Sequence, residues 1–278
     1  MSVKVHAIQT GSVSIKEAQR SAEGRDSQRL LNVLLDKDWT PYLPIYCWLI
    51  EHPNGLVMVD TGETARTTQS GYFPAWHPFF RNVRTKLTAD DEVGPQLRQL
   101  GFDPDDVRYV VMTHMHTDHA GGLQYFPNAT FLLSQAEYAA TQGIGGRIAG
   151  YLPQHWPEWF APTLIDFEHG PLASFEQSYA LLDGITLLPT PGHAAGHLSV
   201  FVETAPQPIV IAGDVSYSEA QLYDQALDGV APDAVTQRET LKQMLALVQA
   251  TNALYLPSHD PHGATRLQRV YAAQKNLL

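Results

Sequence analysis

Residues 113–122 read THMHTDHAGG and place three histidines and one aspartate within six positions. His114 and His116 are two residues apart, so their side chains point to the same side of an extended chain. Asp118 and His119 follow, where the glycine pair permits a turn. Neutral imidazoles and carboxylates are ligands of Zn²⁺ and similar divalent ions. Without a cation, such a cluster would leave polar atoms unpaired, so the segment predicts a metal site.

Three further ligand-type residues each follow an apolar segment that is typical of a strand. TPGH ends at His193, IAGD ends at Asp214 and LPSH ends at His259. With the cluster they make seven groups, enough for two metal ions: His114, His116, Asp118, His119, His193, Asp214 and His259. The histidines at positions 6, 52, 77, 155 and 169 stand alone, and we expect structural roles for them.

The elements that must position these groups are mostly strands. Strand-like segments are expected at 3–9, 42–50, 56–60, 107–114, 129–134, 185–190, 198–203, 208–214 and 253–259. Helices fit 92–102, 233–250 and the tail from about 262. Strands with helices at intervals indicate two sheets packed face to face with helices outside, an α/β layered architecture. We expect residues 1–278 to form this single domain.

The composition is that of an ordinary globular protein. The chain has 278 residues, of which 44% are hydrophobic and 17% charged, enough for one large core. It has no apolar run of 18 residues, and its N-terminus lacks the pattern of a secretory signal, so we expect no membrane partner and a cytoplasmic location. The single cysteine, Cys47, forms no internal disulfide. The net charge of −11 disfavours nucleic acid as a partner.

The order of these motifs resembles a known family. HMHTDH, followed by GH, GD and SH at these intervals, is similar to the metallo-β-lactamase superfamily, and VDTG at 59–62 matches a strand end of that superfamily. The resemblance implies an αββα sandwich with two divalent metal ions between its sheets, zinc first and Fe, Mn or Co as options. It implies that one ion is held by His114, His116 and His193, the other by Asp118, His119 and His259, with Asp214 bridging.

Two segments narrow the resemblance to the N-acyl homoserine lactonases. TPGHAAGH at 190–197 and GDVSY at 213–217 look like those enzymes, in which a tyrosine three residues after the bridging aspartate contacts the lactone. That position is Tyr217 here. SHDPH at 258–262 also resembles the lactonase ending more than that of glyoxalase II. The resemblance implies that a metal-bridging hydroxide opens the lactone ring, with Tyr217 stabilising the carbonyl oxygen and Asp118 passing a proton to the leaving oxygen.

Two stretches rich in aromatic residues, Gly and Pro, at 71–80 and 143–162, fit no regular element. Long irregular segments in a compact domain are often functional. We expect an apolar groove for the acyl chain there, with seven candidate lining residues: Phe73, Trp76, Phe79, Phe80, Tyr151, Trp156 and Trp159. His197 is expected to support a metal ligand or to make a structural hydrogen bond, and Asp60 is expected to orient a metal-binding histidine or to cap the strand end.

Other reactions on the same fold stay open at this point, and another lactone or ester is the strongest rival. A class B β-lactamase lacks the aspartate found here at 214. A glyoxalase II-like thioesterase wants a basic C-terminal surface, and the tail offers only Arg266, Arg269 and Lys275. A phosphodiesterase would need basic contacts to phosphate, which the net charge disfavours. A metal-binding protein without activity is a further alternative, and the sequence does not decide whether the chain forms a homodimer.

Overall fold

The computed structural model describes residues 3–275 as two stacked β-sheets with helices on their outer faces. Residues 1–2 and 276–278 and the side chain of Lys275 lie outside this description. The strands are β1 (Lys4–Ile15), β2 (Leu43–His52), β3 (Gly55–Val59), β4 (Val83–Lys86), β5 (Val107–Val111), β6 (Thr130–Ser134), β7 (Thr163–Ile165), β8 (Tyr179–Leu182), β9 (Ile185–Pro189), β10 (Leu198–Val202), β11 (Ile209–Gly213) and β12 (Leu254–Pro257). The α-helices are α1 (Glu17–Arg20), α2 (Asp26–Leu35), α3 (Val93–Gln99), α4 (Thr117–Ala120), α5 (Gln135–Ala140), α6 (Gly143–Ile148), α7 (Glu219–Asp224), α8 (Ala234–Thr251) and α9 (Gly263–Lys275).

The strand order brings several strand ends to one edge. One sheet has the order β4-β1-β2-β3-β5-β6-β7, and the other has the order β12-β11-β10-β9-β8. Strands β3, β5, β6 and β7 are parallel neighbours, as are β11 and β12. Because the carboxyl ends of neighbouring parallel strands meet at the same edge, the segments that follow β3 and β5 are neighbours, and so are those that follow β11 and β12.

Apolar side chains fill the space between the sheets and beneath the outer helices. Trp48 of β2 and Val200 of β10 belong to one buried cluster between the two sheets. Leu97 of α3 packs on the outer face of the seven-stranded sheet, and Leu241 of α8 packs on the outer face of the five-stranded sheet. The order of layers is therefore helix, sheet, sheet, helix, which confirms the predicted αββα sandwich.

Most expected elements are present within a few residues of their expected ends, and two of the unexpected helices lie beside the site. The stretch 143–162 begins with helix α6, although three glycines argue against a helix there. A Cβ on Gly146 would lie 2.2 Å from the carbonyl oxygen of Thr141, so the glycine permits a close approach that other residues would block. Helix α2 was not expected either. It buries Arg29 and exposes its leucines, which is the reverse of the pattern by which an amphipathic helix is recognised in a sequence.

None of the helices in the described part of the chain has the length and apolar character that crossing a membrane requires.

Candidate metal centre

The seven groups singled out in the sequence lie together at one edge of the sandwich. Three sets of ligand atoms each lie within 4.8 Å of one another: His114, His116 and His193; His114, His119 and Asp214; Asp118, His119 and His259. The cluster residues sit between β5 and the end of α4, and the others follow β9, β11 and β12. Five of the seven residues are buried, and His116 and Asp118 are partly open to the surface. The geometry brings the predicted ligands together, and their binding of metal stays a prediction.

Three imidazole nitrogens converge in the first set. Nε2 of His114 lies 3.0 Å from Nδ1 of His116, which lies 3.0 Å from Nε2 of His193. The other nitrogen of His193, Nδ1, is 3.0 Å from Oδ2 of Asp228. Because a carboxylate only accepts hydrogen bonds, Nδ1 carries the proton and Nε2 of the neutral ring presents a lone pair to the other two. A lone pair of His193 that points at two other imidazole nitrogens suits a cation.

The same rule fixes two more rings. Nδ1 of His119 lies 2.8 Å from Oδ2 of Asp60, and Nδ1 of His259 lies 2.9 Å from the carbonyl oxygen of Pro44. Both acceptors leave Nε2 of the neutral ring free to bind a metal. Nε2 of His119 and Oδ1 of Asp214 are buried, have no hydrogen-bond partner among the described residues, and lie 3.4 Å apart. The donor set and these unpaired atoms therefore fit a divalent cation.

The electrostatics of the site favour positive charge beside the carboxylates and the neutral form of His114 and His116. Burial, helped by neighbouring imidazoles, lowers the pKa of His114 well below its ordinary value and that of His116 to about 3. Burial also acts to lower the pKa of His119, but Asp214 and Asp60 outweigh it and raise that pKa. Burial opposes ionisation of Asp214, but its neighbouring histidines hold its pKa well below the usual range. A proton and a metal cation therefore compete for the site between His119 and Asp214.

A ring of buried hydrogen bonds holds the ligand loops in place. The Glu137 carboxylate accepts from the backbone N–H of Met115 at 3.0 Å and from that of Gly196 at 3.1 Å, so it ties the HMHTDH loop to the GH loop. Nε2 of His197 accepts the backbone N–H of Asp214 at 3.0 Å. His197 therefore supports the predicted ligand Asp214 through its backbone, one of the roles expected for it.

Asp60 supports the other side of the site. Besides His119, its carboxylate accepts from the backbone N–H of Thr113 at 2.7 Å and from the Thr113 hydroxyl at 2.8 Å. Both roles considered for Asp60 are thus present together. Asp228 and Glu137 were not recognised in the sequence, because neither lies in a motif and their partners lie many residues away.

A small cleft of about 50 Å³ opens beside the predicted ligands and is lined by Tyr217, Glu63 and Gln19, by five of the predicted ligands and by several apolar residues. The ring of Tyr217 stacks on that of His259 at 5.6 Å. Burial, with Asp228 and Asp214 nearby, raises the pKa of Tyr217 well above its ordinary value, so its hydroxyl keeps its proton. Burial and the adjacent Asp118 likewise raise the pKa of Glu63 well above the usual range.

A second, apolar groove of about 500 Å³ shares Phe79, His116 and His193 with the small cleft. Its remaining lining comes from α2, α5, α6 and from loops that include the one after β9: Leu30, Leu34, Trp76, His77, Pro78, Ala140, Gly145, Ile148, Ala149, Tyr151, Ala194, Ala195, Val230 and Pro232. The leucines and Ile148 gave no signal in the sequence, since apolar residues on a helix ordinarily predict a buried face.

The seven aromatic residues expected at the groove divide into two groups. Trp76, Phe79 and Tyr151 line the groove, and Phe80 lines the small cleft. Phe73 stacks on Phe80 at 4.6 Å but lines neither space, so the expectation for Phe73 is corrected.

The other two aromatic residues lie elsewhere. Trp156 packs edge-on against Phe160, and Trp159 packs against Phe131 over the seven-stranded sheet. Neither is among the residues that line the cleft or the groove. The expectation for Trp156 and Trp159 is therefore corrected. Both tryptophans are close in sequence to the groove residue Tyr151, but they pack on the core because the chain turns back onto it after α6.

Comparison with known proteins agrees with this architecture. A family model of the metallo-beta-lactamase superfamily matches residues 40–259. The N-acyl homoserine lactonase AttM of Rhizobium radiobacter is 31% identical over 228 residues, which cover 79% of this chain and 82% of that protein. The N-acyl homoserine lactonase AiiA of Bacillus thuringiensis subsp. kurstaki is 28% identical over 222 residues, covering 78% and 82%.

A solved structure of an N-acyl homoserine lactone hydrolase, with N-hexanoyl-L-homoserine at its catalytic metal center, has the same fold. It matches with a TM-score of 0.78 at 24% identity, over 96% of this chain and 97% of that one. The family model spans most of the chain and the fold agrees with it. The chain therefore belongs to the metallo-β-lactamase superfamily, as the spacing of its histidines and aspartates indicated.

Proposed function

We propose that the protein is a dinuclear-metal hydrolase that opens the lactone ring of N-acyl homoserine lactones. The observation that carries the proposal is the junction of two spaces. A polar cleft with the predicted ligands and Tyr217 joins an apolar groove at His116 and His193. A substrate with a polar ring and an apolar tail fits such a junction. The relatives named as N-acyl homoserine lactonases support the same substrate class.

The donor set suits two divalent cations, for which we propose zinc, with iron, manganese or cobalt as alternatives. One would be held by His114, His116 and His193 and the other by Asp118, His119 and His259, with Asp214 shared. Such cations lower the pKa of water toward neutrality and polarise a carbonyl oxygen.

The chain's own side chains have distinct parts in the proposed reaction. Tyr217 keeps its proton and would donate a hydrogen bond to the lactone carbonyl oxygen as that oxygen gains negative charge. Asp118 lines the same cleft and is partly open to it, so it can return a proton to the ring oxygen that leaves. The walls of the cleft shield the Tyr217 side chain from bulk water, whereas Asp118 keeps contact with solvent.

The acyl chain is proposed to lie in the apolar groove. Burying one methylene group is worth about 0.8 kcal/mol, so each added methylene that reaches the groove is expected to raise kcat/KM by up to about fourfold. No arginine or lysine lines the cleft or the groove in the described part of the chain. A phosphodiester or a glutathione thioester would lack a cationic partner there, which leaves other lactones and esters as the main rivals.

Three further expectations remain proposals. We expect residues 1–278 to act as one domain, and we expect a cytoplasmic location. A homodimer stays an open prediction.

The test is lactone ring opening, followed by pH-stat with butanoyl to dodecanoyl homoserine lactones. Metal-loaded wild type should turn over these substrates, and His116→Ala should lose both metal and activity. Tyr217→Phe should bind metal normally and lose about 100-fold in kcat. Tyr223→Phe removes a hydroxyl from an exposed tyrosine outside the cleft and should change neither property.

The informative negative result is a metal-loaded wild type that opens none of these lactones. That outcome would overturn the proposed function and direct the search to other esters, while metal binding could be assessed separately.

A further inference from the structure

We infer that Gln19 determines specificity by accepting a hydrogen bond from the amide N–H of the substrate, so that the site selects acylated amino lactones over lactones without an amide. The inference rests on the proposed function and deepens it. It concerns a residue of the short helix α1 that no sequence motif singles out.

The side-chain oxygen of Gln19 is a buried acceptor without a partner. Gln19 is 5% exposed and lines the cleft beside Tyr217 and Asp118. Its Oε1 has no hydrogen-bond partner among the described residues. A buried amide oxygen left unpaired is costly, and native proteins rarely retain one without a reason. A donor supplied by a bound molecule would satisfy it.

The position of Gln19 is fixed by its backbone. Its N–H donates to the carbonyl of Lys16 at 2.9 Å, and its carbonyl accepts the N–H of Gly229 at 2.8 Å. Its Nε2 lies 3.5 Å from the hydroxyl oxygen of Tyr217 and donates toward it. The tyrosine hydroxyl is thus supplied with a donor, which leaves its own proton free for a substrate oxygen.

The chemistry of the substrate places an N–H near this oxygen. In an N-acyl homoserine lactone, the amide nitrogen is attached to the ring carbon next to the lactone carbonyl. When that carbonyl meets the Tyr217 hydroxyl, the amide nitrogen is only two bonds from the carbonyl carbon. The side-chain amide of Gln19 lies beside the same Tyr217 hydroxyl, so its Oε1 is expected to lie near the substrate N–H.

Glu63 is the other neutral acceptor candidate in the cleft, but it is already engaged. One of its oxygens accepts the backbone N–H of Thr64 at 3.0 Å. The carboxylates of Asp118 and Asp214 belong to the predicted metal ligands. Apart from Asp214, whose unpaired Oδ1 belongs to the predicted metal site, Gln19 is therefore the acceptor lining the described cleft that has an unpaired buried oxygen.

The experiment compares two substrates that differ only at the amide. N-hexanoyl homoserine lactone is set against the analogue in which a methylene group replaces the amide N–H, with kcat/KM measured for each. Wild type should prefer the amide by about tenfold, the effect of one hydrogen bond in a buried site. Gln19→Met keeps the length of the side chain, and it should lower kcat/KM for the amide by about tenfold and leave the analogue within about twofold.

Gln237→Met is the matched control. Gln237 is also a buried glutamine with an unpaired Oε1, but it lies outside the cleft lining and donates to Asp228 at 3.0 Å. Its replacement should affect both substrates by the same factor and leave their ratio unchanged.

Equal losses on both substrates in Gln19→Met would show that Gln19 acts only through Tyr217 and would overturn the inference. The wild-type ratio gives an answer even if that variant does not fold. Wild type that opens both substrates equally well would keep the proposed function and sink the role of Gln19, whereas wild type that opens neither would sink the proposed function itself.

Discussion

Asparagine in place of Asp228 is expected to move the proton of His193 from Nδ1 to Nε2, where a metal ligand needs a free lone pair. Oδ2 of Asp228 accepts from His193 Nδ1 and from Gln237 Nε2, both at 3.0 Å. Its Oδ1 accepts the backbone N–H of Val230 at 3.0 Å and that of Ala231. All four partners are donors, so the amide nitrogen of asparagine faces a donor in either orientation.

The His193 imidazole can remove this donor–donor clash, because its Nδ1 accepts a hydrogen bond when its proton is on Nε2. That tautomer points a proton at the other ligands of the first set. Loss of such an outer partner of a metal-binding histidine weakens metal affinity or activity by about 10- to 100-fold, or about 1.4 to 2.7 kcal/mol. The expected loss should concern one of the two cations, since the other set, Asp118, His119 and His259, does not contact Asp228.

The assay is titration of the metal-free protein with Zn²⁺ against a competing chelator, with stoichiometry and both dissociation constants determined. Asp233→Asn serves as the control, because Asp233 is an exposed residue that caps α8 through the N–H of Val235 at 2.9 Å and is remote from the ligands. It should bind two cations with wild-type affinity. The same result for Asp228→Asn would refute the reasoning.

Two further predictions concern the groove and the backbone. Leu34→Ser should lower kcat/KM for dodecanoyl lactone about fivefold more than for butanoyl lactone. Leu35→Ser, on the same helix but outside the groove lining, should leave the ratio of the two kcat/KM values unchanged. If both variants changed that ratio equally, the result would count against an acyl groove. Gly213→Ala should lower the free energy of unfolding in urea by about 1–3 kcal/mol or more, because φ is +57° and a Cβ would lie 2.5 Å from Nε2 of His197. Gly71→Ala, where φ is +88° but nothing lies within 4 Å, should cost only the backbone part, and an equal loss in both would exclude a role for the imidazole contact.

The residues of the candidate metal site could be located from sequence because each follows a recognisable local pattern. Asp214 follows an apolar run that ends in glycine, and His259 follows a similar run that ends in Pro-Ser. A polar residue at the end of a buried strand is a local pattern, and parallel strands then bring such ends together. The layered fold followed from the same alternation of strands and helices.

The residues that support the ligands could not be located in this way. Asp228 lies 35 residues from His193, and Gln19 lies 198 residues from Tyr217. Their roles exist only after the sheets have stacked, and an isolated Asp or Gln in a sequence has no feature that indicates a buried partner. The groove residue Leu34 could not be located either, because nothing in the local sequence shows whether a leucine faces the core or a ligand.

Helix α2 contributes both to the support of a predicted metal ligand and to the lining of the groove. Arg29 is fully buried, and its guanidinium donates to the carbonyl of Asp228 at 2.6 Å and to that of Ala231 at 2.9 Å. Leu30 and Leu34 of the same helix are 48% and 37% exposed. An ordinary amphipathic helix would bury the leucines and expose the arginine. The inverted pattern is explained if the arginine fixes the loop whose Asp228 orients His193, and the leucines form one wall of the groove. An acyl chain packed on Leu34 would then stabilise the helix that holds this loop, so that binding of the tail and orientation of the metal ligand reinforce each other.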